Sequence, residues 1–173
     1  PFVLDPLFQA TKSLTGVGPR IAKLLERTAG ARVIDLLWML PVAMVDRRAT
    51  PKISDLQAGQ IASLTIKVEE HIPPKSRSLP YRVRCTDSTG FIDLVFFHVK
   101  GDYLEHQLPI GEARIVSGGV EFFHGTPQMP HPDIIARLED KENVLMVEPV
   151  YPLTAGLTNK MTMKIMKTAL PRA

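Results

Sequence analysis

The chain has 173 residues, of which 45% are hydrophobic and 23% are charged, an ordinary composition for a globular protein. Cys85 is the only cysteine, which excludes an internal disulfide and predicts a reducing, cytoplasmic compartment. The longest apolar stretch, residues 33–45, contains Asp35 and Pro41 and is too short to cross a bilayer, so we expect no membrane association.

The net charge is +3, but the charged residues are distributed unevenly. Residues 1–52 contain eight basic and four acidic side chains, whereas residues 102–148 contain three basic and nine acidic ones. A protein that binds nucleic acid through bulk charge would be more uniformly basic. Any binding of nucleic acid must therefore be local, on one side of the molecule.

The first part of the chain, residues 1–52, is predicted to be a helical unit. A tight glycine turn at residues 16–18 follows the first helical segment, and Pro19 is suited to the first position of the next helix. Gly30 is suited to end that helix. The apolar pattern of residues 33–40 predicts a third helix.

From residue 61 onward, apolar residues recur at every second position, which predicts β-strands. Five strands are predicted, with a helical segment between the third and the fourth. The strands are residues 61–69, 81–86, 91–98, 114–123 and 144–147, and the helical segment is 101–108. This layout is that of an OB-fold, although the strand count alone would also suit another small barrel. We therefore predict an α+β protein with a helical unit resembling a helix-hairpin-helix at 1–52, a five-stranded OB-fold barrel at 53–152 and a C-terminal helix within 153–173.

The sequence lacks the motifs of common catalytic and cofactor sites. It contains no phosphate-binding loop of the G-x-x-x-x-G-K-[ST] type, no G-x-G-x-x-G and no G-x-S-x-G. His98, His124 and His131 have no partners at the spacing of a zinc site. We therefore expect no catalytic residue, no metal ion and no cofactor in this chain.

The glycine turn is the first candidate for a contact with nucleic acid. With Gly16 and Gly18 on either side of Val17, consecutive backbone N–H groups can face outward and bind a phosphate. Helix-hairpin-helix units bind DNA in this way without reading its sequence. A plain tight turn between two packed helices explains the same residues equally well.

The third strand offers a second candidate, because it contains two adjacent phenylalanines on opposite faces. Phe96 is in step with Ile92 and Leu94, which indicates the core. Phe97 is in step with Asp93, which indicates the exposed side. Two apolar residues share that side, so the pattern does not decide whether Phe97 is exposed.

An exposed Phe97, followed by Lys100 and Tyr103, would present two rings that flank a cation. Nucleic-acid bases stack on such rings whatever their sequence. The alternative is that Phe97 and Tyr103 pack beneath the helix between the strands, and the pattern alone slightly favours this alternative.

Basic residues near the first two strands are further candidates. Lys75 and Arg77 lie in the loop that joins these strands, where OB-folds commonly place a loop that binds the ligand. Arg82 and Arg84 lie on the polar face of the second strand. All four could contact phosphates, or they could only keep a loop and a strand face solvated.

A series of short motifs resembles the N-terminal region of the RecG family of bacterial ATP-dependent helicases that act on branched DNA. The resemblance extends from about residue 12 to 170, and the order of the motifs is more specific than any single one. The motifs are LTGVGPR (14–20), VIDLLWMLP (33–41), DRR (46–48), DSTG (87–90), FFH (96–98), YL (103–104), QMPHP (128–132) and VYPLTAGL (150–157).

The resemblance implies that the barrel is a wedge that splits a replication fork or a Holliday junction in DNA repair and recombination. Phe97 and Tyr103 would be the rings that cap the separated base pairs. His98 stands where an Asn is common in the family, and Pro130 interrupts a family motif. The residues expected to bind DNA are Gly16, Val17, Gly18, Lys75, Arg77, Arg82, Arg84, Phe97, His98, Lys100 and Tyr103.

The resemblance also implies partners outside this chain. The helicase motor, with its ATP and magnesium, would follow residue 173, so the chain is interpreted as a fragment of a longer protein. Branched DNA, the motor domains and single-stranded-DNA-binding protein are the expected partners of a monomeric wedge. A different class of function stays open, namely a barrel that docks a partner's peptide and touches DNA only incidentally, since residues 102–148 are acidic.

Overall fold

A computed structural model describes residues 4–99 and 101–173 of the chain. By its internal contacts the chain divides into two compact units. The barrel unit is Asp46–Val147, and the helical unit consists of the chain up to Val45 together with Glu148–Ala173.

The described part of the chain forms six α-helices and nine β-strands. The helices are α1 (Asp5–Phe8), α2 (Pro19–Thr28), α3 (Val33–Leu37), α4 (Gly101–Gln107), α5 (Lys141–Val144) and α6 (Asn159–Ala169). The strands are β1 (Ala43–Asp46), β2 (Ile61–Ile72), β3 (Tyr81–Thr86), β4 (Phe91–Phe96), β5 (Ala113–Gly119), β6 (Glu121–Phe123), β7 (Thr126–Pro130), β8 (Ile134–Ala136) and β9 (Val147–Val150). Among these described segments, no helix is long and apolar enough to cross a membrane.

The helical unit is built from both ends of the chain. Helices α2 and α3 share one apolar core with the C-terminal helix α6. The buried residues of this core are Leu14, Val17, Leu25, Val33, Leu36, Leu157, Ile165, Met166 and Ala169. The compact units therefore differ from the sequence-based ranges 1–52, 53–152 and 153–173, because the last segment packs in the same unit as the first.

Gly30 follows the second helix for a steric reason. Helix α2 ends at Thr28, and Gly30 has a φ of +152°, a conformation that only glycine adopts readily. A Cβ atom at this position would clash with the side chain of Asp35. That carboxylate accepts a hydrogen bond of 2.9 Å from the backbone N–H of Arg32, at the start of α3. Helix α3 itself ends at Leu37, three residues before the predicted end.

The barrel unit contains a seven-stranded sheet in the order β6-β7-β4-β3-β2-β5-β8. Strand β2 pairs antiparallel with β3, β3 with β4, and β5 returns to pair antiparallel with β2. The resulting order β5-β2-β3-β4 is a Greek key. Helix α4 lies between β4 and β5 in the chain, and β7 pairs in parallel with β4. This is the arrangement of an OB-fold, so the predicted OB-fold is confirmed, although the sheet has seven strands and not the five predicted.

The inward faces of the strands form the barrel core. Residues at alternating positions of β2, β3 and β4 are buried there. Leu104 of α4 and Leu108, which directly follows this helix, are buried with them. Cys85 of β3 is fully buried among them. Burial raises the pKa of its thiol to about 12, so the thiol stays protonated and unreactive at neutral pH.

The fifth strand of the barrel lies elsewhere than the sequence pattern predicts. The prediction at residues 144–147 is wrong, because Val147–Val150 forms β9, which pairs with β1 in a separate two-stranded sheet. Strand β7 pairs with β4 as the remaining strand of the barrel instead, although it contains two prolines. The missing N–H of Pro130 removes no bond from the ladder, since the N–H of His131 donates to the carbonyl of Val95 at 2.8 Å.

Candidate nucleic-acid interface

The two faces of β4 have different partners. Ile92, Leu94 and Phe96 belong to the barrel core, as the alternation predicts. On the outer face, Asp93 and Val95 are only 1% and 4% exposed, although they lie outside that core. The outer face of β4 is therefore also largely covered, and it opens only at the ends of the strand.

Phe97 follows the last residue of β4 and is 45% exposed. Its ring stacks on the imidazole of His131, with the ring centroids 5.8 Å apart and the planes inclined by 29°. Its backbone N–H also donates to Nε2 of His131 at 3.1 Å. The same imidazole meets the ring of Phe96 edge-on at 6.1 Å. His131 thus holds Phe97 in place from the side while one part of the ring stays accessible.

Tyr103 lies in α4 and is 59% exposed. The next residue, Leu104, is fully buried in the barrel core and fixes the helix on its other side. Because Phe97 and Tyr103 are both exposed, the alternative that packs them beneath the helix is wrong. Lys100, which was expected between the two rings, lies outside the described residues.

His98 has a φ of +56°, in the left-handed region that few non-glycine residues adopt. Asn tolerates this conformation better than other side chains. Asn would therefore fit the backbone at this position better than His does. The His98 side chain is exposed, next to Phe97.

The two strand arginines are bound by a carboxylate of the protein itself. Arg84 donates to Asp93 through Nε at 2.9 Å and Nη2 at 3.1 Å, and Nη1 of Arg82 lies 3.7 Å from the same carboxylate. The hydrogen bonds that Arg84 donates to Asp93 raise the pKa of Arg84 above its usual value. Both side chains remain about two-fifths exposed, at 41% for Arg82 and 39% for Arg84. They can reach a ligand, but part of their charge is already compensated.

Lys75 and Arg77 have a different environment from the strand arginines. Both are exposed in the loop between β2 and β3, and neither forms an ion pair with another residue of the described chain. The register of β3 and β4 pairs Tyr81 with Phe96, so this loop ends beside the end of β4. The sequence-predicted cations of the loop are thus brought to the same end of the barrel as Phe97.

The glycine turn lies in the helical unit. Gly16 has a φ of +83°, which explains the need for glycine there. Val17 is buried, and its N–H donates to the carbonyl of Leu14 at 3.1 Å. The N–H of Val17 therefore closes the turn and cannot also bind a phosphate, and only those of Gly16 and Gly18 remain as candidates.

Sequence reasoning missed two features of the barrel surface. The sequence presents His131 as a possible metal ligand and as part of the QMPHP motif, but it does not show that His131 supports the ring of Phe97. Phe122 and Phe123 were assigned to the end of a long strand, whereas they form the separate strand β6 and are 44% and 61% exposed. The signal that could have located this hairpin is the pair His124-Gly125, since two consecutive residues with positive φ form its turn.

The Greek-key barrel defines a class of protein, the OB-folds. The family model of the RecG wedge domain matches residues 10–173. The chain belongs to this family.

Curated relatives agree with this assignment. The ATP-dependent DNA helicase RecG of Aquifex aeolicus (strain VF5) is 26% identical over 143 residues, which cover 80% of this chain and 18% of the relative. RecG of Thermotoga maritima is 27% identical over 158 residues, which cover 90% of this chain and 20% of the relative. The chain thus spans about a fifth of the length of these relatives.

A solved structure of RecG bound to a three-way DNA junction is similar over nearly the whole chain. It aligns with a TM-score of 0.82 and 26% identity, covering 95% of this chain and 23% of that chain. Both compact units of the present structure therefore have counterparts in that protein.

Proposed function

We propose that this chain is the DNA-binding wedge of a RecG helicase, which binds a replication fork or a Holliday junction and keeps the separated strands apart. The observation that carries this proposal is the pair of exposed rings, Phe97 and Tyr103, which flank the connection from β4 to α4. A base stacked on such a ring is stabilised by ~1–3 kcal/mol without regard to its identity. The wedge needs no chemistry of its own, because stacking alone opposes re-pairing.

The geometry of Phe97 supports this role. A ring that caps a base pair has to be held still, since ordering a mobile side chain on binding costs free energy. His131 supports Phe97 both through its ring and through the hydrogen bond to the backbone. The likeness to the RecG protein that was solved with a three-way DNA junction adds independent support.

The rest of the proposed function belongs to a longer protein. ATP and Mg²⁺ would be bound by the helicase domains, whose cycle would supply the directional work of strand separation in DNA repair and recombination. The expected partners of the wedge are branched DNA, those helicase domains and single-stranded-DNA-binding protein. We expect the protein to act as a monomer in the cytoplasm.

The test replaces each ring and measures binding to forked and to linear duplex DNA. Phe97→Ala and Tyr103→Ala should each weaken fork binding by ~1–3 kcal/mol, and linear duplex binding should stay the same. Phe8→Ala is the matched control, because Phe8 is 51% exposed but lies in the helical unit. If both ring variants bind the fork as tightly as the wild type, the wedge mechanism is excluded.

A salt titration of the same complexes distinguishes DNA binding from peptide docking. Binding to phosphates weakens linearly with salt on a log–log plot, whereas an apolar peptide would bind almost independently of salt. Replacing both Lys75 and Arg77 by Gln should reduce the slope by about 2, or about one for each cation that pairs with a phosphate. An unchanged slope would show that Lys75 and Arg77 do not contact the DNA.

A further inference from the structure

Residues 129–133, here called the His131 segment, contain a backbone conformation that non-glycine residues rarely adopt. His131 has a φ of +43°, in the left-handed region, and it stands between Pro130 and Pro132. Such a conformation persists only where the surrounding structure enforces it. Because the imidazole of His131 supports Phe97, the contacts that hold this segment also bear on the position of the Phe97 ring.

Strand β4 holds the His131 segment on one side. The backbone N–H of His131 donates to the carbonyl of Val95 at 2.8 Å, directly after the parallel pairing of Val95 with Pro130. In return, the backbone N–H of Phe97 donates to Nε2 of His131 at 3.1 Å. The main chain and the ring of His131 are thus both bound to the end of β4, so a shift of the segment is passed on to Phe97.

Strand β5 meets the His131 segment at Gly118. A Cβ atom at this glycine would lie 3.3 Å from Cα of Pro132 and 3.2 Å from Sδ of Met129. Both distances are shorter than the ~3.5–4.0 Å at which non-bonded atoms attract each other best. A Cβ atom at the neighbouring Gly119 would meet none of the described residues within 4 Å, its chain neighbours aside. Only the missing side chain of Gly118 therefore lets the segment lie directly on β5.

An ion pair holds the end of the His131 segment. Nη1 of Arg47 donates to Oδ2 of Asp133 at 3.0 Å and to Oγ of Ser117 in β5 at 3.1 Å. The side chain of Arg47 is 6% exposed, whereas that of Asp133 is 53% exposed. A buried cation therefore holds a carboxylate that lies two residues after His131.

The position of Arg47 is set by the middle of the barrel sheet. Its backbone carbonyl accepts a hydrogen bond of 2.8 Å from Oγ of Ser63, which lies 2.9 Å from Oγ of Ser117. Ser63 and Ser117 are directly opposite each other in the pairing of β2 with β5, and both are buried. The ion pair thus attaches the His131 segment to two strands that do not carry Phe97.

We propose that Arg47, Asp133 and Gly118 are positioning residues for the fork contact, which act on Phe97 through His131 without touching the DNA. This role rests on the proposed function, since it takes Phe97 as the ring that meets the branch point. A binding group has to be held within about 0.5 Å of its productive position by residues that are themselves fixed. The β5 contact and the ion pair supply this fixation from outside β4.

Two adjacent glycines provide the first test, in the intact 173-residue chain. Gly118→Ala places a methyl group against Pro132 and should weaken fork binding by about 3- to 10-fold, a part of the about 5- to 100-fold expected for Phe97→Ala. Gly119→Ala is the matched control, because its methyl group meets open space, and it should leave fork binding unchanged. Equal fork affinities of the two variants would overturn the role of Gly118.

The ion pair is tested at its exposed partner, where a substitution leaves the core intact. Asp133→Asn should weaken fork binding by about 2- to 5-fold, although the loss of a negative charge by itself favours binding to DNA. Asp46→Asn is the matched control, since Asp46 is also 53% exposed and pairs with an arginine, Arg48. It removes the same charge and should leave fork binding unchanged or slightly tighter. If Asp133→Asn behaves like Asp46→Asn, the ion pair has no positioning role.

A double-mutant cycle distinguishes positioning of the ring from a general effect on the barrel. Residues that act through Phe97 lose their effect once its ring is absent, so their free energies are not additive with that of Phe97→Ala. Gly118→Ala and Asp133→Asn should therefore cause no further loss of fork affinity in the Phe97→Ala background. A loss of the same size in both backgrounds would overturn the proposal, because the His131 segment would then act independently of Phe97.

A measurement without DNA separates this proposal from the proposed function. Nε2 of His131 accepts the N–H of Phe97, so the neutral imidazole carries its proton on Nδ1. In ¹⁵N NMR spectra at alkaline pH, the His131 signals should report this tautomer in the wild type and in Gly119→Ala, and they should shift toward a mixture of tautomers in Gly118→Ala and Asp133→Asn. Unchanged signals in both of these variants would overturn the proposal. If the signals shift but Phe97→Ala leaves fork binding unchanged, the wedge proposal fails while the positioning of the ring stands.

Discussion

Phe96 and Phe97 are adjacent in the chain and have opposite surroundings. Phe96 is 6% exposed and belongs to the barrel core, whereas Phe97 is 45% exposed and rests on His131. One strand therefore serves stability through its inner face and presents a candidate binding surface through its outer face. The residue type alone therefore does not indicate the role of a phenylalanine here. The role depends on the face of the strand to which the side chain points.

The outer face is not simply a solvated surface. Asp93 is 1% exposed on this face and is bound by Arg82 and Arg84. The open aromatic positions, Phe91 and Phe97, lie at the two ends of this face, and Asp93 and Val95 between them are closed. A comparison of substitutions on the two faces should therefore separate three contributions, namely core packing, charge pairing and exposed stacking.

The largest effect is expected on the inner face. Phe96→Ala should lower the free energy of unfolding by ~3–5 kcal/mol, because it removes a buried aromatic side chain and leaves a cavity. Chemical denaturation followed by circular dichroism measures the change. A loss below about 1 kcal/mol would contradict the assignment of Phe96 to the core, and the comparison between the two faces would then have no basis.

A smaller effect is expected for the charged position of the outer face. Asp93→Asn should cost ~1–3 kcal/mol of stability, since the arginines lose a charged acceptor in a buried position. The same change releases the positive charge of Arg82 and Arg84, so DNA binding should depend more steeply on salt. A salt slope identical to that of the wild type would show that the two arginines do not face the DNA.

The sequence predicted most of the fold because the period of two is clear in β2, β3, β4 and β5. It failed at β7, where Pro127 and Pro130 conceal a strand. The parallel pairing of β7 with β4 connects residues more than thirty positions apart, and the sequence pattern reports only local alternation. For this reason the apolar pattern predicts the last barrel strand at residues 144–147, where the barrel has none.

The candidate site could be predicted only in part, for a similar reason. Alternation placed Phe97 on the outer face, but it could not show whether that face is covered. Val95 on the same face is 4% exposed, whereas Phe97 is 45% exposed, although alternation assigns both residues to one face. The contact between Phe97 and His131 spans 34 positions of the chain, so no local pattern could have indicated it.

A still smaller and pH-dependent effect is expected at the turn that joins β3 to β4. Burial alone would raise the pKa of Asp87, but hydrogen bonds from Thr89, Ile53 and Gly90 lower it below the ordinary value of 3.8. Since the folded-state pKa is depressed, the stabilisation is complete above pH 3.8 and is lost as the pH falls through the folded value. Asp87→Asn should cost about 1 kcal/mol at neutral pH.

The pH profile of unfolding checks this prediction. The difference in stability between the wild type and Asp87→Asn should be constant from neutral pH down to about pH 4 and should shrink below it. A difference that grows as the pH falls would have the wrong sign for a depressed pKa. Because the turn connects the two strands without belonging to either face, Asp87→Asn should leave the fork affinity unchanged.

The smallest effect on stability is expected at Phe97. Its ring is partly in water and contacts His131 at the surface, so Phe97→Ala should change the free energy of unfolding by less than about 0.5 kcal/mol. Together with the ~3–5 kcal/mol expected for Phe96→Ala, this gives two adjacent residues of the same type with effects that differ several-fold. Thermal and chemical unfolding of both variants measure the difference. If Phe97→Ala destabilises the barrel as much as Phe96→Ala does, Phe97 is a packing residue, and a weaker fork affinity of that variant could no longer be attributed to the stacking of a base on its ring.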